Sequence, residues 1–493
     1  MSVRNILTFI ITCLLLLALL VLCFPPEGIA LGKWRLRFPD LNAVLARYDT
    51  VCVTDEPVVL SPEEQLALMA HQLEMEKLSA LADTLDFYED LLSQAQASIQ
   101  FPDNDPRMLD GFFQAMEQAQ ARGQVVRVLH YGDSQIEQDR ITASLRGNWQ
   151  ARFGGMGCGL VPAVQNIPTP YIGQEYSGSM QRFMAYGSAD FRVDHRQYGP
   201  MALMVRVQDS ARVLLTARHL RKPPFRTQLR QIRVLVANHT PGFQAVLQVN
   251  GQVYAQSLPD STDALQVLSW RLDRPVSTVD LSFWGSADIQ GIALDDVSGV
   301  AVDNIPMRGC SGTIFSSIDK ASLRQAFDWL QPRLIMLEYG GNRMPVIHTQ
   351  EDIDLYMKRL AAQIRYLRSL APQAAFLFVG PADMACRIDG SLQTYPLLEP
   401  LIEALHAMCM ENGVAFWDMY RVMGGRGSMA EWASAQPALA ATDYVHFTTR
   451  GADRIASLLN RSFDLCYDYY CFRREHLNDS VMLRLHEWEE ARP

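Results

Sequence analysis

The chain has 493 residues, of which 48% are hydrophobic and 20% are charged, and its formal net charge is -10. This composition is typical of a globular protein, and the length is too great for one ordinary hydrophobic core, so two or three folded units are expected. The negative charge argues against a nucleic-acid partner, which would require a basic surface. The cysteines form no CxxC pair and no Cys/His cluster with metal-ligand spacing, so we expect no structural zinc site.

An almost unbroken apolar run occupies residues 5–24. As a helix, with a rise of about 1.5 Å per residue, it would span roughly 30 Å, the thickness of a bilayer core. The run ends in Cys-Phe-Pro-Pro at residues 23–26 without a small-residue cleavage site, which favours an uncleaved transmembrane anchor over a cleaved signal peptide. Lys33, Arg35 and Arg37 follow the run, so the positive-inside rule alone weakly favours a cytoplasmic body.

Residues 25–123 are interpreted as a linker and a helical spacer with no catalytic role. Ser61-Pro62-Glu63-Glu64 combines a cap, a first-turn proline and a capping box, and it predicts a helix over residues 61–98. Asp105-Pro106 predicts a second helix that stops at Gly123.

The stretch from Val125 to Gln135 predicts a buried strand that ends in the turn Gly132-Asp133-Ser134. A serine at a strand-to-helix junction lies at the carboxyl edge of a sheet, near the positive end of a helix dipole, where a nucleophilic oxygen is useful. The alternative is a plain turn that joins the strand to a predicted helix over residues 136–153. The glycine-rich loop at 154–159 lacks the lysine of a phosphate-binding loop, so it predicts a close approach of backbones.

Residues 189–299 have a different sequence pattern from the segments before them. Apolar and polar side chains alternate along short segments, and Asn250-Gly251 has the sequence of a hairpin turn. This region predicts an antiparallel β-sandwich inserted into the chain. Its strands are predicted at 202–207, 211–216, 231–236, 245–249 and 279–284.

After residue 300, strands alternate with helices, and this pattern predicts a parallel sheet that is covered on both faces. Together with the strand at residue 125 there are five predicted strands, the later ones at 300–307, 333–338, 375–379 and 414–417. The helices are predicted at 317–330, 352–370, 396–410 and 449–459.

Polar residues follow the predicted strands at their carboxyl ends, where open α/β sheets bind ligands. A serine hydroxyl needs a base within hydrogen-bond reach, and His446 can supply it while Asp443 holds the other ring nitrogen. The backbone amides of Ser134 and Gly312, with the side-chain amide of Asn342, could then bind a developing oxyanion.

Each of these residues also has an ordinary structural explanation. His446 could be a loop histidine, Asp443 a helix cap and Asn342 a turn former. Glu137 and Asp139 are interpreted as first-turn carboxylates that favour a helix dipole. Four turns along one sheet edge nevertheless hold the residue types that an acyl-transfer site requires, so a site of this class is predicted.

In order along the chain, Gly132-Asp133-Ser134, a glycine turn at 309–312, Gly341-Asn342 and Asp443-x-x-His446 resemble the four sequence blocks of the SGNH, or GDSL, hydrolase superfamily. The resemblance covers residues 125–459 apart from the insertion. A β-module between the first and second blocks is similar to the peptidoglycan O-acetylesterases, in which a carbohydrate-binding-like module interrupts the hydrolase domain.

The resemblance implies a three-layer, flavodoxin-like α/β fold with a parallel sheet, formed by residues 124–188 and 300–465. The carbohydrate-binding-like sandwich would occupy residues 189–299, and residues 466–493 would form a C-terminal tail.

The resemblance also implies roles for the site residues. Ser134 is the nucleophile, His446 is the base and Asp443 is its orienting carboxylate. Ser134, Gly312 and Asn342 form the oxyanion hole, and the site uses no metal and no cofactor.

The expected function is a membrane-anchored serine esterase that removes O-acetyl groups from a cell-envelope or other polysaccharide, with peptidoglycan favoured. Because such glycans lie outside the cytoplasm, we expect a single-pass inner-membrane protein with its body in the periplasm, against the charge signal beside the anchor. An O-acyltransferase with a sugar acceptor would use the same triad. A non-catalytic glycan-binding protein would instead present aromatic side chains such as Tyr198, Tyr254 or Trp284, although core packing is the expected role of all three.

Several features remain open from the sequence. Within the turn at 309–312, Gly309 is the alternative to Gly312 as the glycine whose backbone amide binds the oxyanion. Gln135 follows the nucleophile, and its side chain is a candidate substrate contact. Arg343 stands where the family usually has aspartate. Cys466 and Cys471 could form a disulfide or remain free thiols, and the oligomeric state is not predicted.

Overall fold

The computed structural model describes residues 12, 16, 29–31, 34–36, 61–93, 98–218 and 227–490. The predicted anchor at residues 5–24 lies outside this part of the chain except at two positions. Among the described helices, none is both long enough and apolar enough to cross a membrane. The chain divides into two compact units, Met1–Lys77 and Leu78–Pro493.

The secondary structure is numbered here in chain order. The strands are β1 (Ile29–Leu31), β2 (Trp34–Leu36), β3 (Val125–Gly132), β4 (Gly159–Val161), β5 (Ile172–Met184), β6 (Leu203–Ala217), β7 (Leu229–Ala237), β8 (Phe243–Val249), β9 (Gln252–Leu258), β10 (Gln266–Val276), β11 (Thr278–Trp284), β12 (Ala287–Asp295), β13 (Gly299–Pro306), β14 (Pro332–Glu338), β15 (Ala375–Val379), β16 (Ala385–Ile388), β17 (Ser391–Thr394) and β18 (Ala415–Trp417). The helices are α1 (Pro62–Ser93), α2 (Asp110–Gln118), α3 (Thr142–Phe153), α4 (Lys320–Leu330), α5 (Gln350–Leu370), α6 (Leu398–Glu411), α7 (Met419–Met423), α8 (Ser428–Ser434), α9 (Thr449–His476) and α10 (Asp479–Glu490).

The first unit contains an antiparallel hairpin of β1 and β2 and the beginning of α1. The predicted capping box is confirmed. The Glu64 N–H donates to Ser61 Oγ at 3.2 Å, and the Ser61 N–H donates to Glu64 Oε2 at 2.7 Å. These two bonds satisfy backbone donors that the first turn of a helix leaves unpaired.

The second unit is built on a five-stranded parallel sheet with the order β13-β3-β14-β15-β18. The five predicted strands are therefore confirmed. Numbered along the chain, this order is 2-1-3-4-5, which is the flavodoxin-like arrangement.

Helices cover both faces of the parallel sheet, because successive side chains of a strand point to opposite faces. In β15, Phe376 and Phe378 lie in the core that includes side chains of α4, α5 and α6. Leu377 and Val379 lie in the core that includes side chains of α2, α3 and α9. The predicted three-layer architecture is found in this part of the chain.

A nine-stranded antiparallel sheet is inserted between β3 and β13, with the order β10-β7-β12-β6-β11-β8-β9, β4 beside β12 and β5 beside β6. It includes β4 and β5, which precede the predicted start at residue 189. The Gln256 side chain on β9 donates to the Ser269 carbonyl on β10 at 2.6 Å. The two ends of the strand order therefore meet, and the sheet folds back on itself.

The glycine-rich loop at 154–159 makes the close backbone approach that was predicted. Gly157 has a φ of +87°, and a Cβ atom there would lie 2.1 Å from the Leu294 carbonyl oxygen. Such a contact is impossible for any other residue without a backbone shift, so the loop lets β4 pack beside β12.

Two predicted helices differ from the observed ones. The helix predicted from residue 136 begins at Thr142, because residues 134–139 form a short 3-10 turn in which Gln138 and Asp139 have φ of 58° and 62°. The helix predicted to end at residue 459 continues to His476 as α9, and the tail also contains α10.

Cys466 and Cys471 both lie on α9 and are free thiols. Five residues of helix advance about 7.5 Å along the axis, which exceeds the separation that a disulfide tolerates. Of the two alternatives, the structure therefore shows free thiols at Cys466 and Cys471.

Candidate active site

The nucleophile turn follows β3 at the carboxyl edge of the parallel sheet. The Gln135 N–H donates to Asp133 Oδ1 at 2.9 Å, and this bond caps the short turn that begins at Ser134. Asp133 is buried, whereas Ser134 is partly exposed. The turn thus presents the serine hydroxyl to solvent and keeps its neighbour inside.

Three of the predicted site residues form one hydrogen-bonded chain. Ser134 Oγ lies 2.7 Å from His446 Nε2, and His446 Nδ1 lies 2.8 Å from Asp443 Oδ2. The other oxygen of Asp443 accepts from the backbone N–H groups of Val445 and His446, both at 3.0 Å. A nucleophile, a base and an orienting carboxylate in this arrangement can perform acyl transfer.

The carboxylate of Asp443 is suited to hold an imidazole. Partial burial raises its pKa, but the backbone and side-chain hydrogen bonds from His446 and the Val445 amide outweigh burial and lower it overall. A lowered pKa keeps this group ionised at neutral pH, so it can stabilise a positive charge on His446.

Asn342 reaches the same site from the turn after β14. Its Nδ2 donates to Asp133 Oδ2 at 2.9 Å and to the Cys310 carbonyl at a longer 3.3 Å. Burial raises the pKa of Asp133 to about 7, while the bonds from Gln135 and Asn342 act in the opposite direction. The hydrogen bond from Asn342 Nδ2 to Asp133 Oδ2 fixes the orientation of the Asn342 amide.

The two glycines of the second block lie in different surroundings. The Gly312 N–H donates to Cys310 Sγ at 3.4 Å, and a Cβ on Gly312 would lie 2.8 Å from the Tyr339 ring. Gly309 instead lines a cleft with Ser134, Asn342 and His446. Of these two glycines, Gly309 therefore lines a recess together with Ser134, whereas Gly312 packs closely against Tyr339.

Two side chains join the nucleophile turn to the histidine loop. The Gln135 side chain donates to the Val445 carbonyl at 2.6 Å and accepts from the Phe447 N–H at 3.4 Å, so it brackets His446. The Arg140 guanidinium donates to the carbonyls of Ser134 and Phe447 at 2.5 and 3.0 Å. Gln135 contacts the protein here, and nothing in the sequence pattern singles out Arg140.

Glu137 and Asp139 both precede α3, which begins only at Thr142; Glu137 lies in the first turn of the short 3-10 segment at 134–139, and Asp139 ends that segment. Glu137 accepts two hydrogen bonds of 2.6 Å from Arg308, whose side chain is 63% exposed. Asp139 forms a buried pair with Arg146 at 2.6 and 3.0 Å. The interpretation as a first-turn carboxylate is therefore wrong for Asp139, and it holds for Glu137 only in the 3-10 segment.

Ser134 lies between two recesses. We call the first the inner cavity; its side chains are largely apolar and include Pro381, Met384, Tyr395, Met419 and Val445. We call the second the outer cleft; it is polar and is lined by Glu137, Gln138, Arg140, Arg308 and Gly309. An acyl group and a polar alcohol attached to one ester could thus occupy two different recesses that Ser134 lines.

Within the described ranges, no group of three or more His, Cys, Asp or Glu side chains is placed to hold a metal ion. Of the aromatic residues considered on the β-module, Tyr198 is buried, whereas Tyr254 and Trp284 are 37% and 44% exposed. The expected role in core packing is therefore confirmed for Tyr198 and is wrong for Tyr254 and Trp284.

Comparison with known proteins gives one family and several related folds. Residues 286–454 match the GDSL-like Lipase/Acylhydrolase family. No curated protein matches the chain. A solved structure described as "Peptidoglycan O-acetylesterase in action, 5 min" has a TM-score of 0.58 and 20% sequence identity, and the match covers 75% of this chain and 97% of that one.

Two further solved structures are similar at a lower level. A family two carbohydrate esterase from Cellvibrio japonicus has a TM-score of 0.25 and 9% identity, with 60% of this chain and 99% of that chain covered. The acetylxylan esterase Axe2 from Geobacillus stearothermophilus has a TM-score of 0.24 and 14% identity, with 34% and 73% covered. The first likeness, at 20% identity and a TM-score of 0.58, establishes a shared fold.

Proposed function

We propose that this chain, a carboxylic-ester hydrolase that resembles the SGNH/GDSL hydrolases as its motifs predicted, is a membrane-anchored serine esterase acting on an O-acetylated cell-envelope polysaccharide. The observation that carries the chemistry is the hydrogen-bonded chain from Ser134 through His446 to Asp443. Peptidoglycan is the favoured polysaccharide, because a solved structure that shares this fold is described as a peptidoglycan O-acetylesterase.

In the first half-reaction, Ser134 Oγ attacks the carbonyl carbon of the ester while His446 Nε2 takes the hydroxyl proton. Asp443 holds the Nδ1–H of the ring and stabilises the imidazolium. The bond between the carbonyl carbon and the sugar oxygen then breaks, and His446 returns the proton to that oxygen. The products are a free sugar hydroxyl and an acetylated serine.

In the second half-reaction, His446 takes a proton from water as the water oxygen attacks the acetylated serine. The bond from the acyl carbon to Ser134 Oγ breaks, and the proton on His446 passes to that oxygen. Acetate leaves and the hydroxyl is restored, so the cycle consumes one water and produces one acetate.

The developing oxyanion requires donors on the carbonyl side of the serine. We assign this role to the backbone amides of Ser134 and Gly309 and to Asn342, replacing the predicted Gly312. On substrate binding, the Asn342 proton that makes the longer bond to the Cys310 carbonyl would be shared with the oxyanion, while the other proton stays hydrogen-bonded to Asp133. Each such donor contributes about 3–4 kcal/mol to lowering the barrier.

The two recesses support an ester with a small acyl group and a polar alcohol. The acyl methyl group fits the apolar inner cavity, and the sugar fits the polar outer cleft. This division favours a glycan ester over a lipid ester, whose alcohol and acyl parts would both include long apolar chains.

We also propose that residues 5–24 form a single-pass inner-membrane anchor with the body in the periplasm. The apolar run supports the anchor, and the extracytoplasmic location of the favoured substrate supports the orientation. A periplasm-dependent reporter fused after Pro493 should be active in the membrane fraction. Activity of a cytoplasm-dependent reporter alone would overturn this orientation.

The function is tested by acetate release from an activated acetyl ester and from O-acetylated peptidoglycan. Ser134→Ala should lower both rates by at least about a thousandfold. The matched control is Ser257→Ala, an exposed serine on β9 whose loss should change neither rate. An unchanged rate in Ser134→Ala would refute the mechanism, and an acylated acceptor sugar in place of free acetate would refute hydrolysis.

A further inference from the structure

A third recess lies where the parallel and antiparallel sheets meet. We call it the junction cavity; it encloses about 700 Å³ of empty space including its open mouth. Ile305 of β13 lines one side, and Leu160 of β4, Ile172 of β5 and Leu203 of β6 line the other. Its floor is thus apolar and is formed jointly by both sheets.

The polar groups of the junction cavity are side-chain amides. Gln138, Gln165, Asn166 and Asn304 all line it, and each amide can both donate and accept hydrogen bonds. Backbone positions in this wall are fixed, because the Gln165 N–H donates to the Gln174 side chain at 2.6 Å. The cavity therefore has preformed partners for a ligand that carries hydroxyl or amide groups.

The junction cavity offers no uncompensated charge among the described residues that line it. Asp139 lines it, but both of its oxygens accept hydrogen bonds from Arg146. A charged ligand would have to lose its hydration without gaining an opposite charge, which is costly. The arrangement selects a neutral ligand.

Gln138 connects this cavity to the reacting serine. It lines both the junction cavity and the outer cleft, and its side chain is exposed although both neighbours in sequence are buried. Gln138 and Asp139 are consecutive left-handed residues, with φ of 58° and 62°. Residues other than glycine rarely adopt this conformation, and strain of this kind is typical of binding and catalytic sites.

We propose that the junction cavity binds a neutral sugar unit with an acetamido group, in the same glycan chain as the esterified unit. The acetamido methyl group lies on the apolar floor, and its N–H and C=O pair with the side-chain amides. Gln138 lies between the two units. This inference rests on the proposed function, because it takes the ester in the outer cleft to belong to a glycan.

The proposal is tested by calorimetric binding of N,N'-diacetylchitobiose to the full chain carrying Ser134→Ala. Ile167 lines the cavity, and Ile167→Trp fills it, so binding should weaken at least tenfold. Val253→Trp is the matched control, because it adds the same side chain at a position on β9 that is 63% exposed and should leave binding unchanged. Cellobiose, which lacks the acetamido group, should bind at least tenfold more weakly.

Three outcomes would overturn the proposal: no binding of the chitobiose, equal binding to both disaccharides, or unchanged affinity in Ile167→Trp. Asn166→Ala provides a second test, with the same expected direction, if thermal unfolding shows that the tryptophan variant does not fold. The binding measurement uses a chain without its nucleophile, so its failure is distinguishable from failure of the acetate-release assay.

Discussion

At the scale of single residues, the site is held together by side chains that take no direct part in the chemistry. Ser134 and His446 are 312 positions apart, and each is carried by a turn rather than by a helix or strand. Gln135 and Arg140 connect these two turns through backbone carbonyls and an amide. The distance between Ser134 and His446 therefore depends on them.

Gln135→Leu should lower kcat by about 10- to 100-fold with little change in KM, because a shift of His446 by about 1 Å weakens proton transfer more than substrate binding. Steady-state kinetics on an activated acetyl ester measure both constants. Gln256→Leu is the matched control, since Gln256 bridges a backbone N–H and a carbonyl in the same manner on the β-module. An equal fall of kcat in both variants would show a general loss of stability instead.

Asp133 makes the free energy of unfolding depend on pH, and the raised pKa of its carboxyl sets the direction of this dependence. Its pKa is raised to about 7 by burial, above the ordinary value of about 3.9 in an unfolded chain. The folded state then binds the proton more tightly, so this residue makes the chain less stable as pH rises from about 4 to 7, by at most about 4 kcal/mol.

Asp133→Asn should therefore flatten the pH dependence of the unfolding free energy between about pH 4 and 7, as measured by urea denaturation at several pH values. It should also lower kcat, because the Asn342 amide loses a carboxylate acceptor. Asp263→Asn, at an exposed position of the β-module, should leave the slope as it is. If the unfolding free energy of Asp133→Asn still fell between about pH 4 and 7, the pH dependence would come from another titratable group.

At the scale of elements, the glycine loop decides where the antiparallel sheet attaches. Gly155 and Gly157 both have positive φ, and Cβ atoms there would lie 2.6 and 2.1 Å from the backbone oxygens of Val300 and Leu294. These contacts bring the end of α3 against the start of β13 and the end of β12. A loop of any other composition would hold β4 away from its partner strand.

Gly157→Ala should destabilise the chain by at least about 2 kcal/mol more than Gly187→Ala, as measured by denaturant unfolding. Both positions have positive φ, so both alanines are strained, but a Cβ at Gly187 meets nothing within 4 Å. The difference between the variants isolates the close approach. If both variants lost the same free energy of unfolding, the loop at 154–159 could shift to accommodate the new Cβ without destabilising the chain.

At the scale of the second unit, the two sheets share one interior. One hydrophobic core contains Leu129 and Tyr131 of β3 together with side chains of the antiparallel strands. Arg127 of β3 is 1% exposed and forms ion pairs with Asp303 of β13 and Asp295 of β12. The inserted sheet is thus joined to the hydrolase sheet by packing and by buried charge, and we expect one cooperative unfolding transition.

Arg127→Met should cost about 3–5 kcal/mol, because it leaves the buried Asp303 without its arginine partner and leaves Asp295 with Arg233 alone. Arg212→Met removes an ion pair with Asp280 whose arginine side chain is 56% exposed, and it should cost less than about 1 kcal/mol. Scanning calorimetry of both variants measures the shift of the transition. Two separate transitions in the parent chain would contradict the shared interior.

Much of the parallel sheet could be predicted from the sequence because its strands are short apolar runs separated by amphipathic helices. β15 was predicted at its observed bounds, Ala375–Val379. β5 was not predicted, since its middle is exposed and interrupted by Gly178, so no alternation marks it as a strand. The 3-10 turn after Ser134 was also missed, because left-handed backbone at Gln138 and Asp139 has no signal in residue type.

The sequence by itself indicated the types and order of the candidate site residues, because serine and asparagine follow glycine-containing turns at strand ends, and aspartate and histidine lie three positions apart in one loop. It also determined the five parallel strands, which local periodicity encodes. Only the tertiary structure decided that Gly309 and Ser134 line one recess, that Gln135 and Arg140 join the turns that carry Ser134 and His446, and that a cavity opens between the sheets. These features depend on contacts between segments far apart in the chain, and such contacts follow from how whole elements pack rather than from the residues next to one another.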